Sequence, residues 1–151
     1  MSESFVVFSF DQRRFALPTI EVVEVTRAMH VQMFPHNTPG LDGVAVHRGS
    51  VLPVWDLERT LFGAAAASRK YSLVTRHNFA GEELTAIPVS SEGQMLRSEM
   101  LSPPEEAPAY VRGILLLEGQ QVEVLDLEQL RTPGAPAASW VNNAGTEKRS
   151  G

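Results

Sequence analysis

Five residue pairs repeat along the chain at a single offset of 70 positions: Gly43 and Gly113, Gly49 and Gly119, Asp56 and Asp126, Leu57 and Leu127, and Glu58 and Glu128. A shared offset across four residue types implies that one supersecondary unit is used twice. In each copy two apolar runs flank a turn built on glycine, and Asp-Leu-Glu follows at once. Glycine supplies the positive φ that a tight hairpin turn needs, and aspartate ahead of Leu-Glu suits a helix N-cap. The repeated unit is a hairpin that feeds an Asp-capped helical turn. A chain of 151 residues that holds it twice is expected to form two similar small β-barrels packed together.

The rest of the chain has the texture of a mostly β protein, with short β-branched and aromatic runs between frequent glycines and prolines. Phe5–Phe10 reads as a strand closed by Asp11-Gln12-Arg13, and Arg14–Leu17 reads as its return. Pro18–Glu21 suits a helical turn, because proline is pre-set for a first helical position and Glu for the N-terminal end. Val22–Thr26 returns to strand character, and residues 28–41, with Pro35, Pro39 and Gly40, form an irregular connection. Residues 43–55 form the first repeated hairpin, and Asp56 caps a short helix that Gly63 ends. Ala64–Ser68 reads as a linker. Residues 71–75 and 84–89 are strand-like around Gly81-Glu82, and residues 111–117 and 121–125 form the second hairpin. The lobes are therefore expected over about 5–63 and 70–131, with 132–151 a flexible tail whose one anchor-like residue is Trp140.

Composition removes several functions. Thirteen basic against eighteen acidic residues give a net charge of -5, which repels nucleic acid and anionic membrane surfaces. Zero cysteine excludes disulfides, thiolate zinc sites, iron–sulfur clusters and a cysteine nucleophile. No apolar run reaches the roughly 18–20 residues of a membrane helix, and Met1-Ser2-Glu3-Ser4 lacks a basic leader, so no membrane insertion and a cytoplasmic protein are expected. His30, His36, His47 and His77 show no metal-ligand spacing and are expected at the surface, without a metal or cofactor. There is no G-x-S-x-G elbow, P-loop or G-x-G-x-x-G.

Two features invite a functional reading. Asp56 and Asp126, one per lobe, would suit a carboxylate-dependent hydrolase or a small-ligand barrel if they met in one pocket, but two helix caps account for both. Arg48 precedes Gly49 at a hairpin tip, where it is free to pair with Glu24 or to meet a partner, and Arg is favoured at interface hot spots. Val22 and Val25 are core residues on a strand, or, if exposed beside Arg48, part of a docking surface.

The pattern Gly-Val-x-x-x-Arg-Gly-x-Val-x-Pro-Val-x-Asp-Leu over Gly43–Leu57 resembles the signature of the CheW family of chemotaxis coupling proteins. Phe5–Phe8, Arg14–Pro18, Ile20–Val25, Tyr110–Ile114 and Val124–Leu127 extend the resemblance over about Phe5–Leu130, sparsely between Lys70 and Tyr110. It implies a CheW-like domain over residues 1–131, made of two five-stranded β-barrel lobes with short helical turns. It implies no enzyme, but an adaptor that couples methyl-accepting chemoreceptors to the regulatory domain of a CheA-type histidine kinase. The receptor's helical hairpin tip would lie in an apolar groove near the barrel interface, with Val22, Glu24, Gly43 and Arg48 on or under that receptor-binding surface. The kinase-binding residues are not assigned, and exposed barrel edges would allow self-association.

Two positions depart from the family pattern. Val46-His47 stands where Asn-Leu is common before Arg-Gly, which changes the polar contacts at the tip. Pro88 stands where many members carry Asp at a strand end, and proline is confined to sheet edges or strand ends. A second lobe altered at that edge would suit the alternative, an accessory that binds the receptor without engaging the kinase.

Overall fold

The structure, a computed structural model, describes residues 2–63, 69–77 and 83–131. The linker Ala64–Ser68, the Gly81-Glu82 turn, the tail 132–151 and Trp140 lie outside the described residues.

Among the described residues, ten strands and two short helices follow in order. They are β1 (Glu3–Phe10), β2 (Arg13–Pro18), a 3-10 turn (Thr19–Glu21), β3 (Val22–Arg27), β4 (Leu41–His47), β5 (Ser50–Trp55), α1 (Leu57–Phe62), β6 (Tyr71–His77), β7 (Glu83–Val89), β8 (Gln94–Ser98), β9 (Val111–Leu117), β10 (Gln120–Leu125) and α2 (Leu127–Arg131). Of these only β8 was not expected. Its sequence, Gln-Met-Leu-Arg-Ser, has little β-branched character, and it is held by antiparallel pairing with β1.

The strands form two five-stranded sheets, ordered β8-β1-β2-β10-β9 and β3-β6-β7-β5-β4. Two corrections follow. The first sheet is a half-barrel rather than a closed barrel. The lobes are also not the consecutive stretches 5–63 and 70–131, because each sheet takes a hairpin from one half of the chain and three strands from the other. Parallel pairings of β2 with β10 and of β5 with β7 stitch the halves together. The internal register of 70 survives this exchange at Val44 and Ile114, Gly40 and Tyr110, and Asp56 and Asp126, while the bridging partners Gln32 and Leu101 are one position off it. Val44 and Gln32 exchange both backbone hydrogen bonds, as do Ile114 and Leu101; Asp56 N–H donates to Gly40 O, as Asp126 N–H does to Tyr110 O.

Alternation along the strands fills three apolar layers. Between the sheets lie Phe8, Phe10, Phe15 and Leu17 of the first sheet, Leu73 and Ile87 of the second, and Leu57, Leu61 and Leu127 of the helices. The outer faces bury their own clusters, Phe5, Val7, Ala16, Leu115 and Val124 in one and Ala45, Leu52, Val54, Val74 and Ala86 in the other. Burial on both faces explains why Phe5–Phe8 is an unbroken apolar run.

Pro88 does not disrupt an edge. It is buried in β7, an interior strand, opposite Ser72 of β6, and the parallel contact with β5 is made at Ala86. Pro18 ends β2 at the equivalent position 70 residues earlier, so both prolines stand where a strand is finishing.

Candidate functional site

At the β4–β5 tip, Arg48 and Gly49 take φ of 53° and 80°, the left-handed pair of a two-residue hairpin turn. Glu118 and Gly119 repeat this at the β9–β10 tip with 53° and 79°. The turn lifts the Arg48 side chain clear of the sheet, and it is 73% exposed.

β3 and β4 are the opposite edges of the second sheet, yet their side chains meet. Arg48 donates to Glu24 through Nε at 3.0 Å and Nη2 at 3.1 Å, and His47 Nε2 lies 2.8 Å from Glu24 Oε2. The sheet has curled until its edges face each other, and this cluster braces the gap. Hydrogen bonds from Arg48 and then His47 hold the Glu24 carboxyl down to about 2, so Glu24 is an anion at any physiological pH. His47 Nε2 must then carry the proton it shares with Glu24. Arg48 spends its Nε/Nη2 edge on Glu24, which leaves the opposite side of a planar guanidinium for a second acceptor.

The four residues expected at the receptor surface separate into distinct positions. Glu24 and Arg48 form the pair that the sequence suggested. Gly43 lies beneath: a Cβ there would run into the Gln32 carbonyl oxygen and approach Val31 Cγ1 to 2.9 Å, so glycine is what lets the segment after β3 close on β4. Val22 is not exposed; it packs with Val25 against the core between the sheets, and a bulge between Val22 and Glu24 turns Val23 outward instead.

His47 corrects the expectation of surface histidines. Its side chain is only 17% exposed, and alternation on β4 did not reveal it because its partner comes from the far edge of the sheet. A groove of about 370 Å³ beside it is lined by Thr26, Arg27, Met29, His30, Val46 and His47 among others. A second cleft of about 400 Å³ lies where the sheets meet, lined by Ile20, Glu21, Arg76, Arg112, Asp126 and Leu127 among others, with Arg112 Nη1 donating to Glu21 at 2.9 Å. None of Val22, Glu24, Gly43 and Arg48 lines that cleft, although β3 runs from beside it to the groove. Ile20 stands 78% exposed on the 3-10 turn, where the sequence places a helical turn but carries no sign of this exposure.

The two aspartates cap separate helices. Asp56 accepts from Arg59 N–H at 2.9 Å and pairs with Arg69 at 3.0 Å, while Asp126 accepts from Glu128 and Gln129 N–H at 3.1 and 3.3 Å. Asp126 lines the inter-sheet cleft and Asp56 does not. Among the described residues no group of three or more His, Cys, Asp or Glu could hold a metal ion, and no helix is long and apolar enough to cross a membrane.

Two curled sheets that exchange strands, with their polar side chains capping helices or bracing a surface tip, define a two-sheet β domain. A family model for the CheW-like domain matches residues 4–130, and the chain belongs to that family. It is 29% identical over 137 residues to Protein FrzA of Myxococcus xanthus, covering 85% of this chain and 84% of FrzA. It also shares the fold of the scaffolding protein TtCheW from Thermoanaerobacter tengcongensis, with a TM-score of 0.76 at 20% identity over 89% of this chain and 96% of the other.

Proposed function

We propose that the protein is a non-catalytic adaptor of a chemosensory array, which links the signalling tip of a methyl-accepting chemoreceptor to the regulatory domain of a CheA-type histidine kinase. The observation that carries this reading is the hairpin tip, where Glu24 grips one edge of Arg48 and leaves the rest of an exposed guanidinium aimed outward. That arrangement has no reacting centre and suits recognition, since a fixed arginine loses less side-chain freedom on binding than a mobile one. In this reading Arg48 contacts the receptor and Glu24 orients it. Gly43 keeps the neighbouring segment seated, and Val22 supports β3 from the core side. Family membership over residues 4–130 supports the role of the whole domain. Pro88 is buried in an interior strand rather than at a sheet edge, which favours the adaptor over a receptor-only accessory.

The test is calorimetric titration of the purified protein against a receptor signalling tip and, separately, against the kinase regulatory domain, with Arg48→Glu alongside. Binding to both partners is expected, with receptor affinity reduced at least tenfold in the variant and its thermal midpoint within a few degrees of wild type. Binding to the receptor alone would leave a receptor-only accessory, and binding to neither would end the adaptor reading.

A further inference from the structure

His47 stands where the tip's recognition chemistry can be tuned, and the adaptor reading makes no use of it. Glu24 Oε2 is shared, 2.8 Å from His47 Nε2 and 3.0 Å from Arg48 Nε, while Oε1 takes only Arg48 Nη2 at 3.1 Å. We propose that His47 is a specificity-determining residue of the Arg48 surface: it sets the aim of Arg48 through their common carboxylate and, by its own protonation, the charge that the tip offers to a partner's carboxylate. This rests on the docking role of Arg48 proposed above.

The argument is one of atoms and charges. Because Glu24 is ionised, His47 donates through Nε2, and a second proton can enter only at Nδ1. Protonation therefore leaves the Nε2–H to Oε2 hydrogen bond in place and alters charge without dismantling the cluster. With His47 neutral, Glu24 and Arg48 sum to zero; with His47 charged, the tip carries one net positive charge. Among the described residues, the ionisable groups lining the groove beside His47 are Arg27 of β3, His30 of the following segment and His47 itself, so this part of the groove wall is basic or neutral. Charge complementarity thus selects an acidic segment as the occupant, with a carboxylate facing the outer edge of Arg48. His30 lines the same groove, so the contribution of His47 must be isolated by substitution.

His47→Gln is the discriminating variant, since it keeps an N–H donor and loses the titratable proton. His47→Leu loses both. The experiment titrates wild type and both variants with a receptor signalling tip between pH 5.5 and 8, and follows the Arg48 Nε–H resonance of the free proteins over the same range. Wild-type affinity is expected to rise about two- to sixfold more than that of His47→Gln as pH falls, which is the effect of one added charge roughly 8 Å away across a screened surface. The Arg48 resonance is expected to follow a single titration in wild type, to stay still in His47→Gln, and to lose exchange protection in His47→Leu. Identical pH profiles for wild type and His47→Gln would overturn the proposal, as would an Arg48 resonance that ignores His47. If Arg48→Glu leaves receptor affinity unchanged while the resonance still titrates, the docking role fails and the coupling between His47 and Arg48 stands.

Discussion

Glu24 and Glu123 are the same residue type held in opposite states by their surroundings. Arg48 and His47 pull the Glu24 carboxyl down from 4.5 to about 2, whereas burial pushes that of Glu123 up against the opposing pull of Arg13. A carboxyl whose folded value is lowered contributes stability that is complete above its unfolded value and is lost as pH falls through the folded one. The Glu24 contribution is therefore full above about pH 4.5 and fades towards pH 2, while a raised Glu123 works in the opposite sense. Denaturant titrations between pH 5 and 2 are expected to show a shallower loss of stability for Glu24→Gln than for wild type; parallel curves would mean that the cluster adds nothing to folding. Gly43 illustrates a harsher constraint. Alanine there must displace Gln32 backbone, so Gly43→Ala is expected to cost about 1–3 kcal/mol and lower the thermal midpoint accordingly. At Gly113 the nearest obstacle is the flexible thioether of Met100, although Leu101 O would lie at 2.8 Å. Gly113→Ala is expected to cost less.

The repeated Asp-capped helices show how equivalent elements diverge. Both aspartates accept backbone N–H groups at a helix start, but Asp56 is 1% exposed and also pairs with Arg69, which reaches Asp42 at 2.7 Å as well. Asp56→Ala removes a cap and leaves Arg69 with one carboxylate in a half-buried site, whereas Asp126→Ala removes a cap from a half-exposed position. Denaturant unfolding is expected to cost the first about 2–3 kcal/mol and the second about 0.5–2 kcal/mol. Equal losses would mean that the Arg69 pair is idle. These caps were legible in the sequence because N-capping is local chemistry, and so were both hairpins, whose Arg48-Gly49 and Glu118-Gly119 turns announce themselves. β8 was not legible, since its strand state comes from β1 rather than from its own residues. The Glu24–Arg48 pair could be guessed, but His47 could not, because nothing local shows that the two edges of a curled sheet will face each other.

Strand exchange between the halves has consequences for the whole molecule that the 70-residue register concealed. An offset reports that two units are alike and is silent about which strands each lends to the other. The first half supplies β1 and β2 to one sheet and β3, β4 and β5 to the other, and the second half reciprocates. Neither half alone can complete a sheet. Residues 2–63 by themselves would leave β2 without β10 and β5 without β7, and would expose Phe8, Phe10, Phe15, Leu57 and Leu61, which pack on Leu73, Ile87 and Leu125 in the intact core. The intact domain is accordingly expected to unfold in one cooperative transition, with calorimetric and van't Hoff enthalpies in agreement. Fragments 1–63 and 69–131, expressed separately, are expected to lack cooperative unfolding and to regain it on mixing. If either fragment melts cooperatively by itself, the hairpin exchange is ornamental and each half carries its own core; if neither does, the duplication persists because each copy is the other's missing edge.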